Sequence, residues 1–279
     1  MTDIKLFPIS DKVSEDLYTD VAHPLAAEAG KLGGSFGRLV NAVFGKGMDA
    51  IAIFAENKWD KLAESYRERL QKIPEERRIE PDFQIVQGIL SGYSSAFNKP
   101  ELERLFENLL VSSADKELAA GILPSFPVIL KELSCDEARI LKSISSDKPR
   151  HFAKFDLFER LSTQDKILLA KNLVHPNIRN VCECPQNIPS YMDNLARLGL
   201  IEVSDTLYLT GARGTLSYEE IKESVNVSAL VCSISPLKLP DAEPHLEWKQ
   251  GSFRLTELGR SLSVACGLTS LGIPVYFQD

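Results

Sequence analysis

Residues 99–141 read KPELERLFENLLVSSADKELAAGILPSFPVILKELSCDEARIL. Leu102, Leu105, Phe106, Leu109 and Leu110 recur at three- and four-residue steps. They form one stripe of an amphipathic helix, with Glu101, Glu103, Arg104 and Glu107 outside it. Ser112-Ser113-Ala114-Asp115 loosens or ends that helix. Pro124-Ser125-Phe126 opens another, which carries Val128, Ile129 and Leu130. Ser134 stands three residues before Glu137, the spacing of a capping box. Ala138, Ile140, Leu141 and Ile144 follow on the expected buried face. Two helices, a polar break and a capped third helix point to a mainly α fold.

Towards the N-terminus, Pro81 starts a helix with Phe83, Val86, Ile89, Leu90 and Tyr93, broken by Asn98-Lys99-Pro100. Pro74-Glu75-Glu76-Arg77-Arg78 reads as a solvated polar hinge. Before it, Trp59, Leu62, Tyr66 and Leu70 lie near helical spacing in a charged segment. Residues 24–56 are different in character. Gly30, Gly33, Gly34 and Gly37 lie among alanines, and Phe44, Ile51 and Phe54 belong to the apolar runs that follow. Each glycine costs a helix about 1 kcal/mol against alanine, so their number needs a reason. Close helix packing or a loop is the plain one, and an oligomer contact is another. A membrane-active or partner-binding segment is the sharper reading, because small residues four apart let backbones approach closely. Glu28, Lys31, Arg38, Lys46 and Asp49 oppose full insertion and leave surface lying or conditional insertion as the membrane versions. Nearer the start, Ser10-Asp11 is placed to cap a helix running to about Val21.

Several pieces beyond Ser134 fit a winged-helix module. Ser134–Ile144 would be its first helix, Phe155–Leu161 its second, and Asn187–Leu198 its third. Leu200–Val203 reads as a strand, Ser252–Leu255 as the returning strand, and Thr256 caps a closing helix with Leu258, Leu262, Val264 and Ala265. Residues 163–186 form one insertion, expected to begin as helix. Residues 206–249 form another, with Leu207-Tyr208-Leu209, a helix at Tyr218–Ser224, and Ala229–Ile234 read as a buried strand. The wing would thereby be enlarged into a small sheet. The expected architecture is mainly α with a smaller α+β part: an N-terminal helical region, 1–133, and a winged-helix-like region, 134–279.

The central stretch resembles a bacterial family known as abortive infection alpha. The similarity rests on Glu101-Leu102, Leu105-Phe106, Leu109-Leu110, Asp115, Pro124-Ser125-Phe126, Ile129-Leu130, Leu133-Ser134, Asp136, Ala138 and Ile140-Leu141. It extends from about residue 25 to 266, and the Leu-Thr-x-Leu-Gly closing helix resembles the family's C-terminal end. Two positions depart from the pattern: Leu123 stands where His is expected, and Phe106 where Trp is expected. If that His were chemically required, this chain would lack it. The resemblance implies a link to phage defence and no enzyme class.

Bulk properties narrow the field. The 279 residues are 44% hydrophobic and 25% charged, with 32 basic and 39 acidic side chains and a net charge of −7. Such a balance favours solubility and argues against broad electrostatic binding of nucleic acid. Five widely spaced cysteines do not make a secreted disulfide framework. The first residues lack the basic and apolar parts of a signal peptide. No run approaches the roughly 18 apolar residues of a spanning helix. A cytoplasmic protein is expected, with the inner-membrane surface as the peripheral alternative.

No catalytic, cofactor-binding or metal site is identified from sequence. There is no phosphate loop, dinucleotide fingerprint, zinc-protease helix or nucleophile elbow. Cys182-x-Cys184 with His175 supplies one close pair where structural zinc wants two, so reduced thiols are expected. An enzyme site assembled from scattered residues stays open. A DNA-reading third helix would use Asn187, Asn194 and Arg197, opposed by Asp193. Asp115, Asp136 and Glu137 read as helix caps and macrodipole partners. The expected partners are a protein or a second copy of the chain, then a membrane surface, then nucleic acid. No small-molecule substrate is indicated. The leading expectation is a non-enzymatic abortive-infection factor. Its candidate contact residues are Gly30, Gly33, Gly34, Gly37, Phe44, Ile51 and Phe54, and a DNA-binding regulator is the alternative.

Overall fold

Trp59, Leu62, Tyr66 and Leu70 lie on one face of helix α1 (Asp49–Lys72) and are buried. The computed structural model describes residues 49–145, 150–162, 164–234 and 245–269. Gly30, Gly33, Gly34, Gly37 and Phe44 lie outside the described residues, as does the helix expected at 10–21. Ile51 and Phe54 fall on α1, with their side chains also outside the description. The described residues group into two units. One runs up to Glu132 and includes Ala265–Gly267; the other is Leu133–Val264, with Leu268 and Thr269.

In the first unit, α1 is followed by α2 (Phe83–Ser95), α3 (Pro100–Ser113), α4 (Lys116–Ala119) and α5 (Phe126–Lys131). Asp82 caps α2, its carboxylate accepting from the Ile85 N–H at 3.2 Å. Pro100 occupies the first turn of α3, where its missing N–H costs nothing. The aliphatic stripe of α3 is buried as its spacing requires. In α5, Ile129 and Leu130 are buried, whereas Val128, read as part of the same apolar set, is exposed. Helices α2 and α3 pack closely because Gly92 has no side chain. A Cβ there would run into the Phe106 ring. Trp59, Tyr93 and Phe97 form an edge-packed aromatic cluster with ring centroids 5.5–5.6 Å apart.

The buried face of α3 also carries amide and hydroxyl groups. Asn108 Nδ2 donates to the Cys266 carbonyl at 2.8 Å, and Ser112 Oγ to the Ala265 carbonyl at 2.7 Å. Arg69 donates to Asn108 Oδ1 at 2.6 Å. These bonds satisfy main-chain carbonyls of Ala265 and Cys266, which belong to the same unit.

The second unit opens with α6 (Cys135–Ile144). The capping box is present: the Glu137 N–H donates to Ser134 Oγ at 3.3 Å, and the Ser134 N–H donates to the Glu137 carboxylate at 2.7 Å. Then come β1 (Phe152–Arg160), β2 (Lys166–Val174), α7 (Pro176–Arg179), α8 (Ile188–Arg197), β3 (Ile201–Ser204), α9 (Gly211–Glu223), α10 (Val227–Ile234), β4 (Leu246–Leu255) and α11 (Glu257–Ala265). All pairings are antiparallel and the strand order is β2-β1-β4-β3. The protein is therefore mainly helical, with one curled four-stranded antiparallel sheet.

Three expected elements change identity. The helix expected at Phe155–Leu161 is part of β1. Ala153, Phe155 and Leu157 alternate into the core, a period of two rather than 3.6. The start of 163–186 is not helix but β2, joined to β1 by residues 161–165, where Asp165 N donates to Ser162 Oγ at 2.9 Å. The strand expected at Ala229–Ile234 lies within helix α10. Val227, Leu230 and Val231 follow helical spacing, and the Asn226 side chain accepts from the Ala229 N–H at 3.1 Å. The returning strand expected at Ser252–Leu255 is the end of the longer β4, which pairs with β3; a winged helix as such is not shown. The helix expected at Tyr218–Ser224 begins earlier, at Gly211, and Leu207 and Tyr208 before it are exposed.

Candidate functional site: a groove along the free edge of β2

Strand β2 takes more residues than the segment of β1 it faces. Phe158 pairs with Leu168, Leu157 with Ala170, and Phe155 with Leu173. Each shift inserts an extra residue into β2, the signature of a β-bulge, and bulges bend and twist the strand that carries them. The second shift coincides with Asn172, whose φ of 53° lies in the left-handed region that Asn tolerates better than most residues. Among the described residues β2 has one strand neighbour, β1, and its other main-chain edge has no strand partner.

A groove of about 680 Å³ runs along that edge. Residues 168–174 of β2 all contribute to its wall, both faces of the strand and hence its edge. Helices α8 and α10 both pack on β2. The groove's remaining wall comes from Arg179, the start of α8 (Ile188, Pro189), and the turn and first residues of α10 (Val225, Asn226, Ala229). On the α10 side, Leu157, Leu169 and Val231 form the floor of a small core. The two charged residues of the lining, Lys171 and Arg179, are both basic. Lys171 pairs with Asp193 at 2.8 Å, which holds its ammonium above the usual lysine range. Arg179 donates to the Ser224 carbonyl at 3.2 Å.

Behind the groove lies a buried polar cluster. Lys154 is 1% exposed, and its Nζ donates to both carboxylate oxygens of Asp156, at 3.2 and 3.1 Å. It also meets Asp205, whose carboxyl it holds below the usual range. Gly251 makes room for the lysine stem: a Cβ there would lie 2.8 Å from Lys154 Cε and 2.6 Å from the Ser204 carbonyl oxygen. The Asn172 N–H donates to Asp156 Oδ1 at 2.8 Å. The Asn172 side-chain oxygen, Oδ1, is buried with no hydrogen-bond partner. Such an orphan acceptor is uncommon in folded proteins. Asp156 accordingly fixes the bulge, and the bulge leaves an unused acceptor in a residue of the groove wall.

The residues proposed for DNA reading come together on α8, but they bond within the protein. Asn194 Nδ2 donates to Glu137 at 2.7 Å, and Asn194 Oδ1 accepts from Arg197 Nη2 at 2.7 Å. Asn187 sits at the N-cap of α8 without a side-chain capping bond. Asp136 is likewise occupied. Its Oδ1 accepts from the Glu183 N–H at 2.8 Å and from Arg139 Nη1 at 2.7 Å; its Oδ2 accepts from the Cys184 N–H at 2.9 Å and the Tyr191 hydroxyl at 3.0 Å. Burial pushes this carboxyl up, but the two N–H groups and Arg139 outweigh it and hold the group below the usual range. The Cys182–Cys184 loop thus hangs on Asp136. Burial, then the Asp136 charge, pushes the Cys182 thiol up to about 11. His175 turns elsewhere, Nε2 to Glu220 and Nδ1 accepting from the Asn177 N–H. Among the described residues no group of three or more His, Cys, Asp or Glu is placed to hold a metal ion. No described helix is long and apolar enough to cross a membrane.

Ser134, Asp136 and the α3 stripe thus build the fold through the very residues that carry the family similarity. The abortive infection alpha family matches residues 55–266, more than half of the chain. The chain belongs to that family. Among solved structures, this abortive infection alpha protein is similar to an uncharacterized protein from the hydrocarbon-degrading marine bacterium Alcanivorax borkumensis SK2. The identity is 22%, the match covers 55% of this chain and 96% of that one, and the TM-score is 0.31. No curated protein matches. Leu123, at the position where the family pattern led to an expectation of His, is exposed in the loop before α5.

The β2 groove was not among the sequence-derived candidates. A usable signal was present: Ile167, Leu168 and Leu169 follow the turn-forming Ser162–Asp165 and a charged Lys166, as a strand does. The bulge and the orphan acceptor leave no mark in composition or spacing.

Proposed function

We propose that this abortive infection alpha protein is an antiphage defence factor that acts by protein interaction. The carrying observation is the groove along β2, an apolar wall next to a main-chain edge that has no strand partner among the described residues. Exposed strand edges are natural docking templates, and the family membership sets the biological context. In this reading, α6, the short α7, α8, the β3–β4 pair and α11 serve as a winged-helix-like module for protein contact. The segment with Gly30, Gly33, Gly34, Gly37, Phe44, Ile51 and Phe54 supplies a second contact, to a partner or a membrane surface. Nucleic-acid docking through Asn187, Asn194 and Arg197 is the weaker reading, since Asn194 and Arg197 already spend their groups on each other and on Glu137.

The test is efficiency of plating for a phage panel on hosts with and without the gene. Protection by the wild type, lost on deleting residues 24–56 or on filling the groove with Ala229→Trp, supports the proposal. No protection against any phage counts against it. Liposome flotation with and without residues 24–56 separates the membrane version from the protein version. A gel shift at physiological salt that Arg197→Ala abolishes would favour the nucleic-acid reading.

A further inference from the structure

We draw no further inference here: the strongest candidate, the groove of about 680 Å³ along strand β2, belongs to the site already described, and nothing in the structure shows what covers it.

Discussion

Replacing Asp136 by Asn tests whether the family's most recognisable stretch is a folding device. The carboxylate accepts four hydrogens, two on each oxygen. An amide keeps one acceptor and turns an NH₂ towards two donors. The less costly orientation faces the NH₂ to Cys184 N–H and Tyr191, because the tyrosine hydroxyl can rotate to accept. The Cys184 N–H then loses its acceptor, at about 1–3 kcal/mol. The remaining bonds from Glu183 N–H and Arg139 lose their anionic character, which weakens each by roughly 1 kcal/mol. The expected loss is about 3–5 kcal/mol. Urea denaturation reads it as a lower midpoint at unchanged m-value. A second signature is the pH dependence. The folded carboxyl sits below its ordinary range, so its contribution is complete above an unfolded pKa of about 3.9 and is lost as pH falls through the folded value. Wild-type stability should therefore fall between about pH 5 and pH 3 more steeply than that of Asp136→Asn. A variant within about 0.5 kcal/mol of wild type, or one with the same acid slope, would refute the assignment of Asp136 as the anchor of the 182–184 loop.

Three further outcomes follow from other sites. Arg77 holds the fully buried Asp115 carboxylate through two hydrogen bonds. Arg77→Ala should cost about 3–5 kcal/mol in urea denaturation, and Arg77→Lys should recover less than half of that, lacking the planar fork. Gly92→Ala drives a methyl into Phe106; it should destabilise by about 1–3 kcal/mol, with partial recovery in the double variant with Phe106→Leu, both read as Tm. Iodoacetamide at pH 8 should modify the exposed Cys184 first. The partly exposed Cys182, with its thiol pushed up to about 11, should react more slowly, and the buried Cys266 only after unfolding, as mass spectrometry will show.

The helices were legible where a stripe and a cap coincide. Leu102 to Leu110, Asp82 before α2 and the Ser134–Glu137 box each combine local propensity with burial, so spacing alone identifies them. Misreadings fall where period and composition disagree. Phe155, Leu157 and Phe158 can be read at either helical or strand spacing, and the deciding neighbour is Lys154, buried by a salt link to Asp156 that no composition rule anticipates. Ala229–Ile234 is aliphatic enough for a buried strand, yet Asn226 caps it as helix. The groove arises from register: two extra residues in β2 relative to β1, visible only once the strands are paired.

The distribution of unspent hydrogen-bonding groups separates folding residues from recognition residues. Glu137 closes a helix cap and receives Asn194; Arg197 is held by Asn194; Asp136 accepts four donors. A partner that used these groups would first have to break the bonds that position the helices, forfeiting about 1 kcal/mol or more for each. The β2 edge carries no such cost. Among the described residues its main chain has one strand neighbour, and Arg179 meets a neutral carbonyl. On the proposed reading, family identity and partner recognition fall on different residues of the second unit. Substitutions in the Ser134–Glu137 stretch should lower abundance and phage protection together, whereas Ala229→Trp, at an exposed position of the groove wall, should lower protection at unchanged abundance.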